Sequence, residues 1–450
     1  MKALPVSIFV FLPFIISCLS CPLPPPCECD SKSSTVYCKN LNLTSIPKIM
    51  PTNGSWTVFL NNNKLRQIPG NAFMGIKLHM LVLDNNEIET IDDQAFDGSE
   101  KSIIFLDMVG NKLTSLPTAI GKLQNIMSLS VFGNPLPDLD QEVMKNVSKS
   151  LLFIDFGSRE LQAWPTSLKC LTKLASIDIS GVSFNSLPED ALSPYKDSLQ
   201  HLGIHDTNLT RLPSSMNELH NLQDLKLDGN TNLTAEAIHK SMPEGLPGLI
   251  EVTFQNNGLA KLPDILLNAS HLYSVTVFDE PVVSFDENLF TSNFSDNFLT
   301  LIINNTKLSH VPKCVSKVNS ITQLQITSSN ISSIHEDDFY GMKNLNILDL
   351  SENPLWNISD SAFMKNNALR YVKLAGTRLE VIPRGIQNLK SPQYLDLSGC
   401  PIQCSCNNLG WIKNWKSRPG YFQIAGECND LKMNLMAYIN NEIPKCIGHD

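Results

Sequence analysis

The sequence predicts an α/β solenoid of about fifteen short repeats, and three observations carry that prediction. The pattern L-x-x-L-x-L-x-x-N-x-L, seen in Leu78–Ile88 as LHMLVLDNNEI, returns about every 24 residues through most of the chain. An asparagine recurs at the ninth position, and a cluster of four cysteines stands at each end of the array.

Copies begin at Ser55, Leu78, Ile103, Ile126, Leu151, Leu174, Leu199, Leu222, Leu249, Leu272, Phe298, Ile321, Leu345, Leu369 and Pro392. Apolar residues at the fourth and sixth positions, such as Leu106 and Met108, alternate with outward ones, which predicts a short strand with one buried face. The eleventh position (Leu113, Leu209, Leu355) turns the chain back inward. At the ninth position an amide can satisfy backbone groups of its own turn and the neighbouring one, which burial would otherwise leave unpaired. Asn63, Asn86, Asn111, Asn134, Asn230, Asn257 and Asn353 fill it. Arg159, Val182, Thr207, Glu280, Thr306 and Ser329 replace it elsewhere. A charge at such a position is costly unless its head reaches water, so deformed turns are expected there.

Repeat lengths alternate. Copies with an L-P-x-x-I/L tail, as at Leu116–Pro117 and Leu212–Pro213, predict a compact 3₁₀ or short helical return. Those with tails such as Ala95–Phe96 and Ala362–Phe363 predict a bulkier one.

This pattern resembles the leucine-rich repeat family, over residues 55 to 402. The resemblance implies a horseshoe with a parallel sheet on its concave side, stabilised by stacking and closed by a cap at each end. Cys21, Cys27, Cys29 and Cys38 are similar to the family's N-terminal cysteine cap (21–54), and Cys404, Cys406, Cys428 and Cys446 to its C-terminal one (403–450). Three pairings are possible in each cap, and C-x-C neighbours are poorly placed to bond each other. The family pattern implies Cys21 with Cys29, Cys27 with Cys38, Cys404 with Cys428 and Cys406 with Cys446. Cys400 takes the ladder position of the last repeat and is expected as a buried thiol. Cys170 and Cys314 lie too many repeats apart to bridge.

Residues 1–20 carry Lys2, an apolar run and small residues before Cys21, as in a signal peptide. A secreted, extracellular protein without a membrane anchor is expected. Ten N-x-S/T sequons, at Asn42, Asn53, Asn146, Asn208, Asn232, Asn268, Asn293, Asn304, Asn330 and Asn357, are candidate glycosylation sites. The net charge of -9 leaves no basic stripe and argues against nucleic acid or anionic membranes as partners.

No catalytic motif appears, and no cofactor is expected. The outward positions of the first five repeats place Trp56, Phe59, Val82, Phe105, Phe132 and Phe153 on the concave face, where the sheet's other side is already core. Such an apolar patch marks an interaction site. Asp107, Asp155 and Asp178 form an acidic line beside it that could orient a basic partner. His201 and His205 share a face with Asp224 and Asp228 opposite; cross-strand pairs are the expected outcome, with a metal site the weaker alternative. Arg370, Tyr371, Lys373 and Tyr394 make a smaller basic and aromatic patch.

The expected function is non-enzymatic recognition or adhesion, by binding an extracellular protein of unknown identity on the concave face. The alternative is a non-catalytic accessory subunit of a secreted enzyme. The layout is similar to such leucine-rich subunits in carboxypeptidase complexes and in luciferase-type monooxygenases, as in oplophorus-luciferin 2-monooxygenase.

Overall fold

The computed structural model describes residues 21–269, 271–290, 297–415 and 421–446. The proposed signal peptide lies outside them. The chain forms two compact units, Met1–Asn134 with Glu142–Leu151, and Pro135–Gln141 with Leu152–Asp450.

In the first unit the principal strands are β1 (Glu28–Asp30), β2 (Thr35–Tyr37), β3 (Ser55–Phe59), β4 (Lys77–Val82), β5 (Phe105–Asp107) and β6 (Ser128–Ser130). β1 and β2 form an antiparallel hairpin, and each later strand is parallel to the one before it. In the second unit the parallel run is β7 (Phe153–Phe156), β8 (Ser176–Ser180), β9 (His201–His205), β10 (Asp224–Asp228), β11 (Glu251–Gln255), β12 (Ser274–Phe278), β13 (Thr300–Asn304), β14 (Gln323–Thr327), β15 (Ile347–Asp349), β16 (Tyr371–Lys373), β17 (Tyr394–Asp396) and β18 (Gln423–Ala425). Each pairs in sequence with the next.

Alternation decides which face is core. In β10 Leu225 and Leu227 are buried while Asp224, Lys226 and Asp228 stay partly exposed. Parallel register then stacks leucine on leucine from strand to strand. The returns differ as the tails predict: after Pro117, Pro165, Pro213, Pro263 and Pro383 the chain makes five-residue 3₁₀ turns. In the bulkier returns phenylalanines of adjacent repeats stack, Phe73 on Phe96 at 6.5 Å and Phe339 on Phe363 at 5.9 Å.

The ladder asparagines are buried and work in both directions. Asn63 Nδ2 donates to the carbonyls of Cys38 and Leu60 while its Oδ1 accepts the N–H groups of Leu41 and Leu43. Just before the ladder position the backbone is left-handed, at Asn62, Asn85 and Asn256 and at Gly110, Gly229 and Gly376, the last preceding Thr377. That conformation explains why asparagine, aspartate and glycine recur at the eighth position.

Two substituted rungs behave differently from expectation. Glu280 does not reach water: it is 1% exposed, and its carboxylate accepts Asn257 N–H at 2.9 Å, Asn257 Nδ2 at 2.8 Å and Leu259 N–H at 2.7 Å. Three donors replace solvent, while burial still pushes its pKa up. Arg159 does not occupy a rung at all. It is exposed, and Ser158 turns inward instead, its hydroxyl donating to the Leu136 carbonyl at 3.2 Å.

Disulfides join Cys21 to Cys29, Cys27 to Cys38, Cys404 to Cys428 and Cys406 to Cys446. In the C-terminal segment Trp415 packs edge-on against Phe422 at 5.4 Å and beside Trp411 at 5.9 Å. Cys170, Cys314 and Cys400 are unbridged. The Cys400 thiol donates to the Leu374 carbonyl at 3.1 Å in the asparagine's place. Among the described residues no helix is long and apolar enough to cross a membrane.

Candidate functional site

The residues read as one concave patch fall into both units, and each group is taken by itself. In the first unit Phe59, Phe105 and Asp107 lie half-buried on the open face of the sheet, Phe132 is half-buried in the turn just after β6, and Met127 is 39% exposed. Phe105 stands beside Met80 in register.

Trp56 is not among them. It is fully buried, in register with Leu78, while Ser55 pairs with Lys77. The pairing then slips, so that Thr57 meets Met80 and His79 is left extra. The first repeat is one residue short between its first and fourth positions, and Trp56 rather than Ser55 supplies the first core residue. The outward assignment of Trp56 is therefore corrected: it carries the core.

Tyr37 takes its place as a surface aromatic. Its ring lies parallel to that of Phe59, 5.5 Å away, and Lys39 Nζ sits 5.8 Å from its centroid. Tyr37 falls before the repeats and escaped the periodicity. A signal was present: Thr35-Val36-Tyr37 duplicates Thr57-Val58-Phe59, and the two triplets pair residue for residue.

In the second unit Phe153 is exposed and Asp155 is half-buried on β7 and pairs in register with Asp178 on β8. Asp178 is not free to meet a partner. His201 Nε2 and His205 Nε2 both approach its Oδ1, at 3.4 Å and 3.3 Å. His201 Nδ1 meets Asp224 Oδ2 at 2.7 Å, and His205 Nδ1 lies 3.9 Å from Asp228 Oδ2. Lys226 Nζ adds a contact to Asp224 at 3.6 Å.

Carboxylates only accept, so His201, with one at each ring nitrogen, is held as the imidazolium. Its hydrogen bonds to Asp178 and Asp224 raise its pKa to about 9 against the effect of burial. For Asp178 burial pulls upward, but the bonds from both histidines outweigh it and hold the carboxyl well below the usual range. The two histidines weighed as metal ligands are thus engaged by the carboxylates of Asp178, Asp224 and Asp228. Among the described residues no group of three or more His, Cys, Asp or Glu side chains is arranged to hold a metal ion.

Near the C-terminal end Arg370 and Tyr371 are exposed, the Tyr371 hydroxyl bonds Gln393 Oε1, and Lys373 Nζ is spent on Asp349 at 3.6 Å. Tyr394 is half-buried beside Asp396. This patch keeps less free charge than its composition suggests.

Of the sequons, Asn42, Asn53, Asn146, Asn208, Asn232, Asn330 and Asn357 are exposed. Asn304 is half-buried on β13, and its amide donates to Thr327 Oγ1 at 2.7 Å. Asn293 and the side chain of Asn268 lie outside the described residues.

The leucine-rich repeat family model matches residues 57–113, 76–136, 296–355 and 343–402. Leucine-rich repeat-containing protein 3 of Danio rerio is 35% identical over 122 residues, covering 26% of this chain and 46% of that protein. The NT-3 growth factor receptor of Gallus gallus is 29% identical over 144 residues, covering 28% of this chain and 17% of the receptor. The chain thus spans less than half the length of these curated relatives.

Among solved structures, the Toll–Spatzle complex of Drosophila superposes with a TM-score of 0.65 at 18% identity, covering 83% of this chain and 51% of that one. A leucine-rich repeat protein of Leptospira interrogans superposes at 0.53 with 22% identity, covering 82% and 83%. Fold, repeats and terminal disulfides together define a leucine-rich repeat solenoid with cysteine caps. The chain thus carries leucine-rich repeats and folds as a solenoid of that kind; proteins with such repeats generally mediate protein–protein interaction and are typically non-catalytic.

Proposed function

We propose that this is a secreted, non-enzymatic recognition or adhesion protein that binds another extracellular protein through the open face of its sheet. Residues 1–20 serve as the signal peptide, 21–54 and 403–450 as cysteine caps, and 55–402 as the repeat array between them. The observation that carries the reading is the row of aromatics on the first unit. Tyr37, Phe59 and Phe105 stand on a strand face whose opposite side is already core, with Phe132 half-buried in the turn just after β6, so the strand aromatics have nothing of their own chain to enter.

Four cap disulfides and seven exposed sequons support an oxidising, extracellular setting. The absence of a basic stripe supports a protein partner over nucleic acid.

The test is affinity purification of the tagged protein from conditioned medium, followed by mass spectrometry. Recovery with membrane receptors or matrix proteins supports recognition. A catalytic chain that co-purifies stoichiometrically would instead make this an accessory subunit of a secreted enzyme.

A further inference from the structure

We propose that the open face of the first unit takes an extended segment of its partner bearing an apolar side chain and, about four residues further on, a lysine or arginine. This rests on the reading above that the face binds protein, and names what the partner must bring.

Four residues stand in register on neighbouring strands: Tyr37 on β2, Phe59 on β3, Val82 on β4 and Asp107 on β5. The first two form a parallel aromatic platform, their planes 4° apart. Val82 is short and 6% exposed, so the row dips behind the platform. At the far end the Asp107 carboxylate accepts the Val109 N–H at 3.0 Å. Among the described residues no lysine, arginine or histidine stands within ion-pair distance of it.

Its environment favours a cation. Burial raises the Asp107 pKa, and the like charge of Asp84 raises it further. A half-buried carboxylate without a counter-ion is stabilised by a positive group brought to it. At the other end Lys39 lies over Tyr37, which disfavours a second cation there. The row is therefore polarised, with the apolar side chain of the partner on the Tyr37–Phe59 platform and its basic one on Asp107.

The spacing sets the segment. Three strand steps of about 4.8 Å put Tyr37, the far member of the platform, and Asp107 roughly 14 Å apart, which equals about four residues of extended chain at 3.4 Å each. Residues i and i+4 of an extended segment point the same way, so a chain crossing the strands presents both to the sheet.

The probe is a displayed library of random twelve-residue peptides, selected against the full-length secreted protein. Enriched peptides are expected to pair an aromatic or branched aliphatic residue with a basic one four positions away. Asp107→Asn should weaken the best of them at least about tenfold, with unchanged melting. Enriched peptides without a basic residue, or bound equally by Asp107→Asn, overturn the inference; if Phe59→Ala still weakens them, the binding role of the face survives. Peptides indifferent to both changes, or a library yielding none, overturn both.

Discussion

Asp178 occupies the space that a side chain on Gly203 would need. A Cβ built on Gly203 would lie 1.9 Å from Asp178 Oδ1 and 2.5 Å from His205 Nε2. Gly203 faces Asp178 directly across the β8–β9 pair, between the two histidines of its own strand. The glycine lets one carboxylate lean across and receive both rings. Gly203→Ala should push the carboxylate out and leave half-buried charges unpaired, costing about 1–3 kcal/mol. Urea unfolding monitored by circular dichroism measures this, with Thr253→Ala, at the corresponding position of β11, expected to change little.

The same cluster gives a pH dependence with a defined sign. His201 is raised to about 9 from the ordinary imidazole value of about 6.5. A raised pKa means that its contribution to stability is fully present below about 6.5 and is lost as pH rises through about 9. The melting temperature should fall between pH 7 and pH 10, and His201→Gln should flatten that fall. Asp178 works oppositely: its pKa is depressed, so its contribution persists into mild acid and is lost only as pH drops through the depressed value. An unchanged slope in the glutamine variant would show the imidazolium to be irrelevant.

Trp56 and Phe59, three residues apart, should respond in contrasting ways. Trp56→Ala empties a fully buried site and should cost about 3–5 kcal/mol. Phe59→Ala removes the half-buried member of a surface stack and should cost no more than about 1.5 kcal/mol. Equal losses in chemical denaturation would contradict the slipped pairing of β3 and β4.

Among the described residues Glu280 is the one carboxylate that fills an asparagine's rung. Both its oxygens accept N–H groups. Glu280→Gln would turn an amide N–H against one of those donors and should destabilise by about 1–3 kcal/mol, readable as an earlier thermal transition. A neutral result would mean that the rung tolerates a rearranged turn.

These residues also mark what was legible in the sequence. Periodicity revealed the strands, their buried face, the ladder asparagines and the 3₁₀ returns, because each follows from local spacing. It misplaced Trp56, where one missing residue shifts the inward positions and a period-2 pattern inverts on such a slip, and Arg159, where Ser158 one position earlier turns inward instead. It overlooked Tyr37, which belongs to a cap outside the repeat, and it treated Asp178 as a free charge. That side chain's partners lie 23 and 27 residues away, and only the Gly203 gap brings them together. No spacing rule encodes such a gap.

The central claim, that the first unit's open face binds a partner, is tested most directly by two double variants assayed against the partner recovered from medium. Phe105→Ala with Phe132→Ala removes aromatic anchors, each worth at least about 2 kcal/mol, or roughly thirtyfold in affinity, where it is buried by the partner. Arg370→Ala with Lys373→Ala changes the C-terminal patch. With thermal melting matched, the account predicts that the first pair loses binding and the second keeps it. The reverse result, binding kept by the phenylalanine pair and lost by the arginine–lysine pair, would contradict it.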